Sequence, residues 1–162
     1  MRTKKLTALS LLTALALIFS FVESQLPPLT AIPGVKMGLP NVVVVFALYK
    51  LGWREAAALS LVRVALVSIL FGTAASFLYS LAGAALSFVG MVLLRRTGRF
   101  SHVGVSVAGG VLHNMGQILM ASFLLETNIF AYYLPFLLVS GTLAGIAIGL
   151  LSAVMVRRVP LG

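Results

Sequence analysis

The chain has 162 residues, of which 60% are apolar and only 9% are charged, whereas soluble domains usually carry about 25% charged residues. With a mean hydropathy of +1.12, it lacks the polar side chains that cover a water-soluble fold, and the composition predicts an integral membrane protein. The sequence holds 12 Lys and Arg against three acidic residues, with no Asp and no Cys. These counts exclude disulfides, thiolate catalysis and Asp-based Mg²⁺–phosphate sites.

Six apolar segments follow one another along the chain, and a membrane span needs about 20 apolar residues. We predict them at residues 6–26, 41–51, 55–75, 76–94, 102–125 and 129–156. The second segment is short for a span and is expected to begin inside the preceding Pro- and Gly-rich loop, near Met37. The predicted fold class is all-α: a polytopic bundle of six transmembrane helices that forms a single domain over residues 1–162.

Basic residues cluster at alternate ends of these segments. Ten of the 12 lie before the first span, between the second and third, between the fourth and fifth, or after the sixth: Arg2, Lys4, Lys5, Lys50, Arg54, Arg95, Arg96, Arg99, Arg157 and Arg158. Because basic loops stay in the cytoplasm, we predict cytoplasmic termini for a multi-pass protein of a prokaryotic cytoplasmic membrane. We interpret the clusters as topology signals rather than as sites for nucleic acid or lipid.

The two remaining basic residues, Lys36 and Arg63, break this pattern. Lys36 lies in the Pro- and Gly-rich loop, and Arg63 lies near the middle of the third span, where a charge costs about 2.5–3.5 kcal/mol on insertion scales. No carboxylate is expected beside Arg63, since Glu55 and Glu126 lie at span ends and Glu23 lies near the outer end of the first span. Arg63 is therefore expected to bind either helix-end carbonyls or an anionic ligand.

Polar residues also occur in the middle of the fifth span. His113 and Gln117 are four residues apart and share a helix face, and Asn114 follows His113. Such side chains usually face the bundle interior, where they either hydrogen-bond between helices or bind a ligand. A metal or haem site is disfavoured because the other histidine, His102, lies near the cytoplasmic end of this span.

The sixth span carries glycines at every fourth position, Gly141, Gly145 and Gly149. This ridge of small residues predicts close packing against another helix. The partner helix is either internal, which is the commoner case, or part of another subunit.

The motifs that are missing narrow the function further. The sequence has no G-x-x-x-x-G-K-[ST] phosphate loop, so the chain is not expected to hydrolyse ATP itself. No acidic residue lies at mid-span, which argues against a carrier coupled to protons or Na⁺ that works alone. A compact substrate-binding bundle remains as the best interpretation.

Two motifs resemble those of a known family. Residues 33–41, Pro-Gly-Val-Lys-Met-Gly-Leu-Pro-Asn, resemble the P-G-[IV]-K-[LM]-G-L-x-N signature of the Gx transporter membrane proteins, and residues 113–117 resemble the H-N-x-G-Q of their fifth helix. Arg63 and residues 77–83 also fit. These proteins are often labelled heptaprenyl diphosphate synthase component I, and they resemble the substrate-binding S components of energy-coupling factor (ECF) transporters.

The resemblance implies a six-helix bundle that binds a vitamin or similar micronutrient and docks on a transmembrane T subunit with two ATPases. Docking in that family uses an A-x-x-x-A face of the first span, whose nearest match here is Ser10 with Ala14. A catalytic prenyl diphosphate synthase needs Asp-rich motifs, so the chain is not expected to be an enzyme. The alternative function is a non-catalytic membrane partner in isoprenoid or quinone metabolism or in membrane electron transfer.

The expected substrate site combines the loop with the two polar spans: Lys36, Asn41, Arg63, His113, Asn114 and Gln117, without metal or cofactor. Two basic side chains among neutral polar ones favour a ligand with a carboxylate or phosphate at one end and an apolar part at the other. The loop is expected to cover the ligand, with Lys36 and Asn41 pointing inward; the alternative is a surface loop with a solvated lysine. Phe77 and Tyr79 are expected either to wall the site or to serve in ordinary packing.

Overall fold

A computed structural model describes residues 2–25, 38–126 and 129–160. It contains six α-helices: α1 (Arg2–Gln25), α2 (Asn41–Lys50), α3 (Trp53–Phe71), α4 (Ala74–Thr97), α5 (His102–Leu125) and α6 (Ile129–Arg158). The described residues form no β-strand. The prediction of an all-helical membrane protein is therefore confirmed at this level.

The six helices differ in their capacity to cross a bilayer. Among the described residues, four helices are long and apolar enough: α1, α4, α5 and α6. The 19-residue α3 carries three charges, Arg54, Glu55 and Arg63. The 10 residues of α2 reach only about 15 Å at 1.5 Å per residue, half of a bilayer core. The chain is thus a multi-pass membrane protein with two helices that differ from ordinary spans.

Local chemistry explains two of the helix boundaries that differ from the sequence prediction. Helix α2 begins at Asn41 rather than near Met37, because a turn at residues 38–40 precedes it and Gly38 adopts a φ of +77°. Helices α3 and α4 separate at residues 72–73, inside the tight turn predicted at residues 72–76 but before the predicted span boundary at 75–76. Thr73 accepts a hydrogen bond from the Ser76 N–H at 3.1 Å, and the Ser76 hydroxyl accepts one from the Thr73 N–H at 2.8 Å. This capping box starts α4 at Ala74.

Helix α2 occupies the centre of the bundle. Its seven residues 42–48 are all apolar and each is at most 3% exposed, because α2 packs against α1, α3 and α6. Helix α5 lies between α4 and α6, and α3 connects α1 to α4. A helix that is apolar on every side is stable only when it is surrounded, so the short α2 depends on its neighbours.

The glycine ridge of α6 packs against α5 inside the same chain. A Cβ atom built on Gly145 would lie 2.5 Å from the Val107 Cα, and one on Gly149 would lie 2.9 Å from the Val103 Cα. Carbon atoms normally approach to about 3.5–4.0 Å, so only glycine permits this backbone contact. Of the two partner helices that the sequence left open, internal or in another subunit, the structure shows the internal one, α5.

Polar contacts hold four helix ends together at one end of the bundle. The Arg95 guanidinium of α4 donates to the Leu48 carbonyl oxygen of α2 and lies 4.7 Å from the Tyr49 ring centre. The other partner of Tyr49 is His102 at the start of α5, with ring centres 3.7 Å apart. His102 Nε2 lies 2.9 Å from the Ser152 hydroxyl of α6.

The starts of α1 and α3 are joined in a similar way, since Lys5 Nζ lies 3.5 Å from the Glu55 carboxylate. We call the region with the starts of α1, α3 and α5 and the ends of α2, α4 and α6 the basic end, because it carries the basic clusters. The ends of α1, α3 and α5 and the starts of α2 and α4 form the opposite end.

Candidate functional site

A polar cavity of about 50 Å³ lies toward the opposite end of the bundle, where five helices and the turn before α2 meet. The residues that line it are Ser20, Glu23, Gly38, Pro40, Asn41, Arg63, Val64, Val67, Ser80, His113 and Gln117. Its volume suffices for one or two water molecules. A concave space in which a few polar side chains converge beside apolar surface is typical of a binding site.

The cavity brings together four of the residues singled out from the sequence. Asn41 begins α2, Arg63 comes from α3, and His113 and Gln117 lie one turn apart on α5. Helix α4 approaches α5 closely at this level, because a Cβ on Gly83 would lie 2.7 Å from the Gln117 Cγ. The glycine therefore allows α4 to close one side of the cavity.

Arg63 is the buried cation of the site. Its side chain is only 8% exposed, and its Nε has no hydrogen-bond partner. A buried donor without an acceptor costs about 1–3 kcal/mol, and more when the group is charged. Arg63 thus lines the cavity with one donor of its guanidinium group unused.

Glu23 overturns the expectation that Arg63 has no carboxylate nearby. It is 9% exposed, lines the same cavity, and acts electrostatically on the Arg63 guanidinium. A Glu23 carboxylate oxygen also accepts a hydrogen bond from the Gly38 N–H at 2.5 Å. The physical reason is the packing of α1 along α3, which brings the end of the first helix to the arginine and joins it to the turn before α2.

Asn114 lies outside this cavity lining, although its two polar neighbours on α5 belong to it. Its amide donates to the Leu137 carbonyl oxygen at 3.1 Å and to the Ser140 hydroxyl at 3.2 Å, both on α6. Successive helical residues are about 100° apart, so Asn114 faces α6 while His113 faces the cavity. The structure gives Asn114 an interhelical hydrogen-bonding role.

The remaining candidates have different locations. Lys36 lies outside the described residues. Phe77 and Tyr79 are partly buried in α4 and are not among the lining residues, whereas Ser80 on the next turn is. On α1, the proposed docking residues Ser10 and Ala14 are both exposed on the bundle surface.

Three polar lining residues, Ser20, Glu23 and Ser80, were missed by the sequence analysis. Ser20 and Glu23 are three positions apart in the last two turns of α1 and share one face, and this spacing is the signal that could have found them. The Ser20 hydroxyl donates to the Ala16 carbonyl oxygen at 2.8 Å, so its lone pairs are available to accept from a ligand.

The site can bind polar groups of both signs. It offers guanidinium and amide donors, a carboxylate, hydroxyls and an imidazole, with Val64 and Val67 as its apolar part. Within the described ranges, no three His, Cys, Asp or Glu side chains come together as metal ligands. The arrangement suits hydrogen-bonded recognition of a small polar molecule.

Comparison with known proteins adds one positive finding. A family model described as heptaprenyl diphosphate synthase component I matches residues 12–155, a stretch that contains every residue of the cavity lining. Neither a curated protein nor a solved structure gives a significant match. Since the family model covers most of the sequence, the chain belongs to the heptaprenyl diphosphate synthase component I family, which is the Gx transporter-like family.

Proposed function

We propose that the chain is the substrate-binding S subunit of an ECF-type transporter and that it captures a small micronutrient or precursor in the polar cavity. The observation that carries this proposal is Arg63, a buried cation that lines the cavity and whose Nε lacks a hydrogen-bond partner. Membership of the Gx transporter-like family and the multi-pass helical architecture support it.

The cavity indicates the chemistry of the ligand. Arg63 favours a carboxylate or phosphate, because a guanidinium binds these groups through charge-assisted hydrogen bonds. Glu23, close by, disfavours a ligand that is anionic throughout, so the ligand should also present a hydroxyl, amide or amine donor. Gln117 and Asn41 can donate to or accept from the neutral part.

Binding must enlarge the cavity. Ligand pockets usually measure about 300–1,000 Å³, far more than the cavity of about 50 Å³ seen here. The turn at Gly38 borders the cavity and is held by Glu23. We propose that ligand entry releases this hydrogen bond, so that the turn at residues 38–40 and α2 readjust around the ligand.

Mass spectrometry of small molecules that co-purify with the protein tests this function. We expect one acidic compound to be bound to the unsubstituted protein and to the control Arg157→Gln, and to be lost from Arg63→Gln. Recovery of the same compound from all three proteins, or of no compound from any of them, would contradict the assignment of the cavity.

The description of the family favours a second candidate function, a non-catalytic partner in isoprenoid or quinone metabolism. The chain has no Asp, so we propose that it is not the catalytic subunit of such an enzyme. Affinity purification from native membranes separates the two functions, because T and ATPase subunits indicate transport and a prenyl-lipid enzyme indicates the alternative.

The orientation in the membrane is a prediction that cysteine labelling can test, since the chain contains no native Cys. The substitution Arg99→Cys lies at the basic end and Ala74→Cys at the opposite end, and both positions are exposed. We expect a membrane-impermeant maleimide added to intact cells to label the Ala74→Cys variant but not the Arg99→Cys variant, because basic segments remain cytoplasmic. Labelling of the Arg99→Cys variant alone would show that the orientation is the reverse of the predicted one.

Docking through α1 is a second prediction. Ala14 is exposed, so Ala14→Trp should fold normally and bind its ligand, yet it should prevent close helix contact and reduce co-purification of T and ATPase subunits at least about tenfold. The matched control is Ala85→Trp, an exposed position on α4. An unchanged complex with Ala14→Trp would place the interface elsewhere.

A further inference from the structure

The chain's single tryptophan lies near two arginines at the basic end. Trp53 begins α3 and is 46% exposed. The Arg54 Cζ lies 5.4 Å from the Trp53 ring centre, and the Arg96 Cζ, which comes from the end of α4, lies 5.9 Å from it. Two guanidinium groups from different helices thus converge on one indole ring.

This pair of arginines has no carboxylate partner among the residues that the structure describes. The sequence has three carboxylates, and two of them, Glu23 and Glu126, lie toward the opposite end. The third, Glu55, forms an ion pair with Lys5. Among the described residues, no ion pair to Arg54 or Arg96 is present, so an external anion that reaches both guanidinium groups would offset their positive charges.

Exposed apolar surface adjoins the arginines on both helices. On α4, Val89 and Leu93 are seven and three positions before Arg96, share its face, and are 55% and 57% exposed. On α3, Leu61 is seven positions after Arg54, on the same face, and is 56% exposed. Each arginine therefore stands at the end of an apolar strip that runs toward the middle of the membrane.

We propose that Trp53, Arg54 and Arg96 form a binding site for the phosphate of an anionic phospholipid in the leaflet at the basic end. The guanidinium groups donate to the phosphate oxygens, the indole lies at the level of the headgroup, where tryptophan is enriched, and the acyl chains lie along the apolar strips. These strips favour a lipid over a soluble phosphate. The site assigns to Arg54 and Arg96 a role beyond the topology signal inferred from the sequence.

The single tryptophan makes the test specific to this site. The protein is reconstituted in vesicles that mix ordinary lipid with brominated phosphatidylglycerol or brominated phosphatidylcholine, and quenching of Trp53 fluorescence gives the relative affinity of each lipid. We expect phosphatidylglycerol to bind at least about fivefold more strongly, the order of effect of one basic residue near an anionic surface.

Three outcomes decide the proposal. The double variant Arg54→Gln/Arg96→Gln should lose the preference, while Arg157→Gln/Arg158→Gln, with the same loss of charge at the end of α6, should keep it. Equal affinities in the unsubstituted protein, or an equal loss in both double variants, would overturn the site. Loss of the preference on adding glycerol phosphate would assign the arginines to a soluble phosphate and would also overturn it.

Discussion

Replacing Gly145 by alanine is expected to destabilise the bundle by about 2 kcal/mol or more, because an added methyl group in a well-packed interface forces helices apart. The new Cβ would lie 2.5 Å from the Val107 Cα and 2.9 Å from the Ser106 carbonyl oxygen. Both atoms belong to the α5 backbone, which cannot move aside as a flexible side chain can. The helices must separate by about 1 Å to restore normal carbon contacts.

Thermal unfolding in detergent, followed by circular dichroism, measures this effect. The matched control is Gly104→Ala on α5, where a Cβ would meet no atom closer than the Ser101 hydroxyl oxygen at 3.3 Å. The control should be neutral or slightly stabilising, since alanine favours a helix by about 1 kcal/mol over glycine. Equal melting temperatures for Gly145→Ala and the unsubstituted protein would show that α5 and α6 do not pack through this ridge.

Replacing Arg63 by glutamine is expected to weaken binding of the co-purifying compound at least about tenfold, which corresponds to about 1.4 kcal/mol. The substitution removes the cation and the unpartnered Nε donor from the cavity. It also leaves Glu23 without its positive neighbour, and a buried charge that loses its partner is strongly destabilising. A single variant therefore mixes a binding effect with a folding effect.

The double variant Glu23→Gln/Arg63→Gln separates these effects. It is neutral at both positions, so we expect it to regain most of the melting temperature lost in Arg63→Gln while its affinity for the ligand stays low. Equilibrium binding and thermal unfolding are measured on the unsubstituted protein, the two single variants Glu23→Gln and Arg63→Gln, and the double variant. If affinity returned together with stability, Arg63 would be a structural residue and the cavity would lose its main support as the substrate site.

Local sequence chemistry predicted a large part of this site. Spacing of four residues placed His113 and Gln117 on one face of α5, and a charge in an apolar segment identified Arg63 as a residue of the bundle interior. The same local reasoning grouped Asn114 with them, although its amide bonds to Leu137 and Ser140 of α6. Spacing identifies a helix face, but the element that this face contacts depends on packing between helices.

The position of Glu23 near Arg63 could not be predicted from the sequence. Glu23 precedes it by 40 positions, and the position of Glu23 in its own helix says nothing about which helix lies beside that turn. Packing of α1 along α3 brings the two charges into one cavity. The ligand expected from the sequence has an anionic and an apolar end, and the ligand that we now propose also carries a hydrogen-bond donor. Long-range contacts of this kind leave no periodic signal.

The sequence by itself determined the class of the protein, its helical content and the segregation of basic residues, because composition, hydropathy and charge act locally on each segment. Only the tertiary structure decided that the short α2 lies at the centre, that the glycines of α6 pack against α5, and that Glu23 lies near Arg63. Each of these features is a contact between distant segments, and its stability comes from shape and burial that arise only when the helices assemble.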